Sequence, residues 1–286
     1  MKEWRLQFPI ETMSRVFEVS RSGYSDWLKR KPSARAQANE QLKIAIRVAH
    51  KRCREVYGAL RLPPERVADG FIAGRDRIIR LRKERGIRCK QKRKFIAPTN
   101  SNHALPVAPN LLEQKFNATC PNQAWVADIT YIPTEESWLY LAGIKDLFSC
   151  QIVGYAMGAR MTQELTGQAL FRAVKNKRPE AGLIHHSDRG SQYCAHDYRR
   201  MVEQFGMQAS MSRRGNCYDN APMESFWGSL KNELVHHRRY ATRAEAEASI
   251  REYIEIFYNR QRRHSRLGYV APAVFVDSFN KQQASA

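Results

Sequence analysis

Three carboxylates stand where carboxylates are unusual. Asp128 lies inside the apolar run Trp125-Val126-Ala127-Asp128-Ile129-Thr130-Tyr131, whose composition predicts a strand. Asp is depleted from strands, and an unpaired carboxylate beside apolar neighbours is costly. Asp188 closes a second strand-like run and opens the polar stretch Arg189-Gly190-Ser191-Gln192-Tyr193. Glu224 falls in the first turn of a helix begun by Pro222. Each alone reads as an ordinary surface or capping residue. Brought together, the three would repel one another unless a divalent cation neutralised them. Oxygen ligands without His or Cys suit Mg²⁺ or Mn²⁺. Two such ions about 4 Å apart would activate a nucleophile and stabilise the leaving oxygen of an in-line phosphoryl displacement.

Other metal chemistry finds little support. The six cysteines, at 53, 89, 120, 150, 194 and 217, form no C-x-x-C, so neither a zinc ribbon nor a redox dithiol is signalled. His185-His186 and His236-His237 are adjacent pairs, and adjacent strand residues point to opposite faces. The two histidines beside Asp188 are therefore expected to be structural. The N-terminus carries no signal-peptide pattern, and no run of eighteen apolar residues exists. A cytoplasmic chain with free thiols is the expectation.

The elements that must position these residues follow from periodicity. Strands are predicted over 125–132, 138–144, 151–157, 183–187 and 208–212. Helices are predicted over 162–177 and 197–205, from Pro222, and from Thr242, where Thr242 and Glu245 have capping-box spacing. The order gives an antiparallel meander followed by alternating helices and strands, a mixed five-stranded sheet with helices on its faces. On the Pro222 helix, Phe226, Trp227, Leu230 and Leu234 share one side, and Glu224 and Lys231 lie two turns apart on another.

Charge divides the chain. The total is +20 over 286 residues. Residues 1–100 hold 26 Lys/Arg against 10 Asp/Glu, whereas 101–286 hold 22 against 18. The first third is thus a basic module, as nucleic-acid partners require. Its pattern predicts small all-α units: a short helix-turn-helix-like segment over 1–35 and a basic helix-turn-helix domain over 36–97. In the helix 75–85, Ile78, Ile79 and Leu81 are read as facing inward. Arg75, Arg77, Arg80 and Arg82 are read as a DNA-contacting ring. A proline- and asparagine-rich linker follows over 98–118, then a catalytic core over 119–235 and a C-terminal helix and tail over 236–286 packed on the core.

These motifs together resemble a known family. Trp125, Asp128 and Thr130, the run 185–193, Asn216, Asp219, Asn220, Ala221, Glu224, Phe226 and Lys231, with the tail Tyr258-Asn259, His264, Leu267 and Pro272, are similar to those of DDE transposases of bacterial insertion sequences. The likeness is to the product of the downstream frame of two-frame elements and spans about residues 10–275. Thirty-five residues lie between Asp188 and Glu224, the family's spacing. The resemblance implies a ribonuclease H-like, integrase-type core. It implies that Asp128, Asp188 and Glu224 bind two Mg²⁺ or Mn²⁺ ions and that Lys231 contacts terminal DNA near the scissile phosphate. It implies metal-dependent strand cleavage and transfer at the element's ends. Double-stranded DNA, further copies of the chain on DNA and an upstream-frame polypeptide fused by frameshifting are the implied partners, in the cytoplasm on the nucleoid. One departure is Pro63-Pro64, which would shorten the middle helix of the basic domain. A DNA-binding regulator with an inactive core would not need the carboxylates, and a zinc-containing viral integrase would need a His/Cys module this chain lacks.

Overall fold

The structure, a computed structural model, describes residues 1–58, 60–62, 70, 72–90, 106–214 and 216–285. Among the described residues five strands form one sheet, with the first at its centre, the second and third to one side and the fourth and fifth to the other. β1 (Ala124–Thr134), β2 (Ser137–Asp146) and β3 (Ile152–Gly158) make the antiparallel meander. β4 (Ile184–Ser187) and β5 (Gln208–Met211) join it parallel to β1. The mixed sheet expected from the sequence is present, with its strands displaced by at most two residues from the predicted bounds.

Alternation along β1 explains why the sheet is covered on both sides. Ala124, Val126 and Ile132 enter one apolar cluster, and Trp125 and Ala127 enter the other. The long helix of one layer (Gln163–Lys177) is capped by Thr162, which accepts from the Leu165 N–H at 3.4 Å, and stops at Arg178 in left-handed conformation. It lies close against β3 because Gly154 has no side chain there. A Cβ would come within 2.5 Å of the Ala169 carbonyl. The opposite layer is the helix Ala221–Glu233, which buries Met223, Phe226, Trp227 and Leu230. Beside it runs the helix Arg243–Glu252, where Thr242 accepts from the Glu245 N–H at 3.2 Å and the Glu245 carboxylate reaches back to the Ala241 N–H. That helix widens into a π-turn over Tyr253–Tyr258, which puts Tyr253, Ile254, Phe257 and Tyr258 all in the core.

The segment 98–118 differs from a free linker. Residues 98–105 lie outside the described residues, but 106–118 are pinned to the core. The Met211 N–H donates to the Pro109 carbonyl, the Leu111 N–H to Ser210 Oγ, and Asn110 and Gln114 both donate to the Asp219 carboxylate.

The basic module has a separate core of Leu42, Ile46, Ala49, Cys53, Tyr57, Leu62, Ile78 and Leu81. Its described helices are Ile10–Val16, Arg21–Lys29, Ala34–Arg52 and Arg75–Glu84. The middle helix of the predicted basic domain, with Val67, falls outside the described residues. Two sequence readings are corrected in the last helix. Ile79 is exposed, and Arg82 is buried beside Ile78 and Leu81. The i, i+3, i+4 spacing puts 78, 81 and 82 on one face and turns 79 away. Arg82 therefore does not belong to a solvent-facing ring.

This module is fastened to the C-terminal layer. The Arg263 N–H donates to the Tyr57 hydroxyl at 2.6 Å, and Arg54 pairs with Glu252. Close by, Arg262 is 3% exposed and makes a two-pronged pair with Glu233, which also accepts from the Tyr253 hydroxyl at 2.7 Å. A buried guanidinium is tolerable only while that carboxylate stays. Glu233→Ala should therefore lower unfolding stability by about 3–5 kcal/mol in a denaturant titration. A loss below about 1 kcal/mol would show that Arg262 is not dependent on it.

Candidate active site

Sheet register brings the first two carboxylates together. β1 and β4 are parallel, and their last paired residues are Ala127 and Ser187. Asp128 and Asp188 are each the next residue, side by side on chains spaced about 4.8 Å apart. Asp188 is fixed where β4 ends: its Oδ1 accepts the Gly190 N–H at 2.9 Å. Arg189 turns away to donate to the Ser212 carbonyl at 2.7 Å.

Asp128 is held at both oxygens. Oδ1 accepts the Ile129 N–H at 2.8 Å, and Oδ2 accepts the Trp227 indole N–H at 3.0 Å. The indole reaches this position because Gly143 stands opposite Asp128 on β2. A Cβ on Gly143 would come within 2.8 Å of the indole ring. Glu224 sits three residues before Trp227, exposed at the start of the same helix. The helix start is tied to the sheet twice. Asn220 Nδ2 donates to the Ala127 carbonyl at 3.2 Å, and the buried Lys145 ammonium donates to the Pro222 carbonyl at 3.0 Å.

The electrostatics follow from this placement. Burial, and next the charge of Asp188, push the Asp128 carboxyl up to about 8, with Glu224 adding a smaller push. The Ile129 and Trp227 N–H groups oppose the shift. Asp128 therefore senses both other members of the predicted trio. Among the described residues no three His, Cys, Asp or Glu side chains stand close enough, as placed, to hold a metal ion.

Lys231 is not a freely solvated lysine. β4 ends at Ser187, so β1 continues past Ala127 without that neighbour. The Lys231 ammonium reaches across there to lie 4.8 Å from the Tyr131 ring centroid. Burial lowers its pKa, and the Asp128 carboxylate raises it. His185 and His186 are buried and structural. His185 Nε2 meets the Tyr198 hydroxyl at 2.7 Å, and His186 lies between the Ser210 and Ser212 hydroxyls. Burial pushes the two imidazoles down to about 3 and about 4, so both are neutral. Arg75, Arg77 and Arg80 lie on the separate helical unit: Arg77 donates to Asn39 at 3.0 Å and Arg80 pairs with Glu84 at 2.7 Å.

Sequence reasoning missed the roles of Trp227, Gly143 and Lys145, and it names Asn220 only as a motif residue, without its bond to the Ala127 carbonyl. A glycine inside a strand does mark a close approach, and Gly143 carried that signal. Trp227 was read as core, which it is, yet its N–H also serves Asp128. Asp219 is a carboxylate of a different kind. It is buried and accepts from Arg213, Asn110 and Gln114, and the Arg213 hydrogen bonds hold it well below the usual carboxylate range.

Comparisons with known proteins give this arrangement a family. Two family models described as integrase core domains match residues 118–217 and 205–272, and one described as an HTH-like domain matches 37–95. The chain is 65% identical over 272 residues to an insertion element IS600 uncharacterized 31 kDa protein of Shigella sonnei, covering 95% of this chain and all of that one. It is 40% identical over 277 residues to transposase InsF for insertion sequence IS3A of Escherichia coli (strain K12), covering 96% of each. The chain belongs to the transposases of bacterial insertion sequences. Its fold is ribonuclease H-like with an HTH-like unit ahead of it, and its activity is DNA cleavage and strand transfer in transposition. Among solved structures, the HTLV-2 integrase catalytic core domain in complex with magnesium matches with TM-score 0.43 and 15% identity, over 56% of this chain and 99% of that one.

The raised Asp128 pKa has a measurable sign in the transposase. A carboxyl with a folded pKa above its unfolded value contributes stability that is complete below the unfolded pKa. That contribution is lost as pH rises towards about 8. Asp128→Asn cannot ionise. In chelator, its stability relative to wild type should therefore improve with rising pH, by up to about 1.4 kcal/mol per pH unit between about pH 5 and 8. Parallel stability profiles would show that Asp128 titrates normally.

Proposed function

We propose that Asp128, Asp188 and Glu224 are the catalytic carboxylates of this transposase and hold two Mg²⁺ or Mn²⁺ ions. The observation that carries this reading is the half-buried Asp128 carboxyl, pushed up to about 8 by burial and by the neighbouring Asp188. Such a carboxyl stays protonated at neutral pH unless a cation offsets its neighbours. The donors are all oxygens, which fits hard divalent ions, while His185 meets the Tyr198 hydroxyl through Nε2 and His186 meets a serine hydroxyl at each ring nitrogen. When bound, the ions supply Lewis-acid activation of the attacking oxygen and charge stabilisation of the leaving one.

The protein's own groups then do the positioning. The Ile129 and Trp227 N–H groups fix the rotamer of Asp128, as outer hydrogen bonds do for other ligating side chains. Gly190 fixes Asp188. Glu224, exposed in the first turn of its helix, would supply the third carboxylate ligand. Lys231 holds the phosphate of the terminal strand in line beside Asp128. The basic helical unit binds duplex DNA at the element ends, with Arg75, Arg77 and Arg80 as its contacts and Arg82 as an inner support. Further copies of the chain, and a polypeptide from an upstream frame fused by frameshifting, complete the assembly on nucleoid DNA in the cytoplasm. Among the described residues no helix is long and apolar enough to cross a membrane.

The test is cleavage of duplexes carrying the ends of the element that encodes this chain, with Mg²⁺ present. Asp128→Asn, Asp188→Asn and Glu224→Gln should each reduce cleavage by at least about a thousand-fold, with DNA binding retained. Lys231→Ala should reduce it by roughly ten- to a hundred-fold at unchanged Mn²⁺ affinity. Substantial cleavage by any carboxylate variant would remove that residue from the site. Unchanged cleavage by Lys231→Ala would remove the lysine.

A further inference from the structure

The β1–β2 hairpin carries an aromatic ledge that the carboxylates do not use. Register pairs Tyr131 with Tyr140 and Pro133 with Trp138, so these side chains share the sheet face opposite that of Asp128. The Tyr131 and Trp138 rings meet edge to face, with centroids 4.9 Å apart and planes at 81°. Trp138 remains 44% exposed. A large aromatic left in water on a well-formed element is informative in a way that a lone exposed aliphatic is not.

The ledge is braced. Arg243 donates through Nη2 to the Glu136 carbonyl at 2.8 Å and through Nε to the Trp138 carbonyl at 3.1 Å. Its backbone N–H donates to the Glu136 carboxylate at 2.8 Å, and the Glu135 N–H donates to the Tyr240 carbonyl at 3.0 Å. The hairpin tip is therefore clamped to the segment before the helix Arg243–Glu252. The ledge also begins where the site's cation ends. The Lys231 ammonium, within electrostatic reach of Asp128, lies over the Tyr131 ring.

We propose that the Tyr131–Trp138 ledge receives an unstacked nucleobase of the DNA strand whose phosphate lies at the carboxylate site. The inference rests on the catalytic reading given above. An occupant must offer a flat π-face to Trp138 and a negative charge to the ammonium at the ledge's rim. A nucleotide offers both. Stacking on an aromatic side chain tolerates any base and offsets the unpairing that exposes it. The ledge would thus favour cleavage where the duplex opens next to the scissile phosphate. It would do so without reading sequence.

The experiment compares full-length wild type, Trp138→Ala and Trp138→Phe on two element-end duplexes with Mn²⁺ present. One duplex is fully paired, and the other carries a mismatch at the base flanking the scissile phosphate. Trp138→Ala should slow cleavage of the paired duplex on the order of ten-fold, and the defect should shrink on the mismatched one. Trp138→Phe should retain most of the wild-type rate. Melting temperature should fall by no more than about 2–4 °C, the loss of one edge-to-face contact, and the Mn²⁺ concentration for half-maximal rate should not move, since the side chain touches no carboxylate of the site. If wild type cleaves both duplexes and Trp138→Ala matches it, the ledge proposal is overturned alone. An equal defect on both duplexes, accompanied by dissociation of an oligomer, also overturns it and assigns the ledge to a protein contact. If wild type fused to the upstream-frame polypeptide cleaves neither duplex, the catalytic reading and the ledge fall together.

Discussion

The core is organised around a carboxyl group that the fold should not tolerate. Asp128 interrupts an apolar strand and meets a second carboxyl on the adjoining strand. Its charge is opposed first by burial and then by Asp188. In a domain selected for stability alone, such a residue would be replaced or paired with a cation of the protein. Here the surrounding structure holds it in place instead. Two N–H groups keep both oxygens aimed, and one belongs to a tryptophan admitted by a glycine on the next strand. Neighbouring structure that keeps such a carboxyl in place fits the proposed cation site.

Other features serve the same end at longer range. Asn220 and Lys145 tie the Glu224 helix to the sheet at its first turn, where a small shift would move the third carboxylate. Asp219, one residue away from that helix, gathers Arg213, Asn110 and Gln114. It thereby fastens both the loop before the helix and the segment that enters the core. The Glu233–Arg262 pair closes the far end of the helix against the tail that also meets the basic helical unit. The Glu224 helix, the tail and the basic helical unit are thus linked through one buried charge pair.

Much of this was legible in the sequence. The five strands, the capping box at Thr242 and Glu245, and the placement of Glu224 and Lys231 away from the apolar stripe follow from periodicity. The out-of-place Asp128 was itself the clearest sign of a site. Long-range side-chain geometry was not legible. No local pattern shows that the Trp227 N–H reaches Asp128, that Lys145 is buried, or that 106–118 is pinned to the core rather than free. Arg82 misled because composition counts an arginine as surface, whereas helical spacing beside Ile78 and Leu81 turns it inward. Ile79 was misread by the same neglect of spacing.

The central claim is that Asp128, Asp188 and Glu224 close on one cation-binding locus. Fe²⁺ can replace Mg²⁺ in the full-length chain, with ascorbate and peroxide added so that hydroxyl radicals form at the bound iron and cut nearby backbone. The account predicts fragments ending near Asp128 on β1, near Asp188 at the end of β4 and near Glu224 at the helix start, all suppressed by excess Mg²⁺. Cuts confined to one of these three segments, or cuts elsewhere that Mg²⁺ does not suppress, would contradict it.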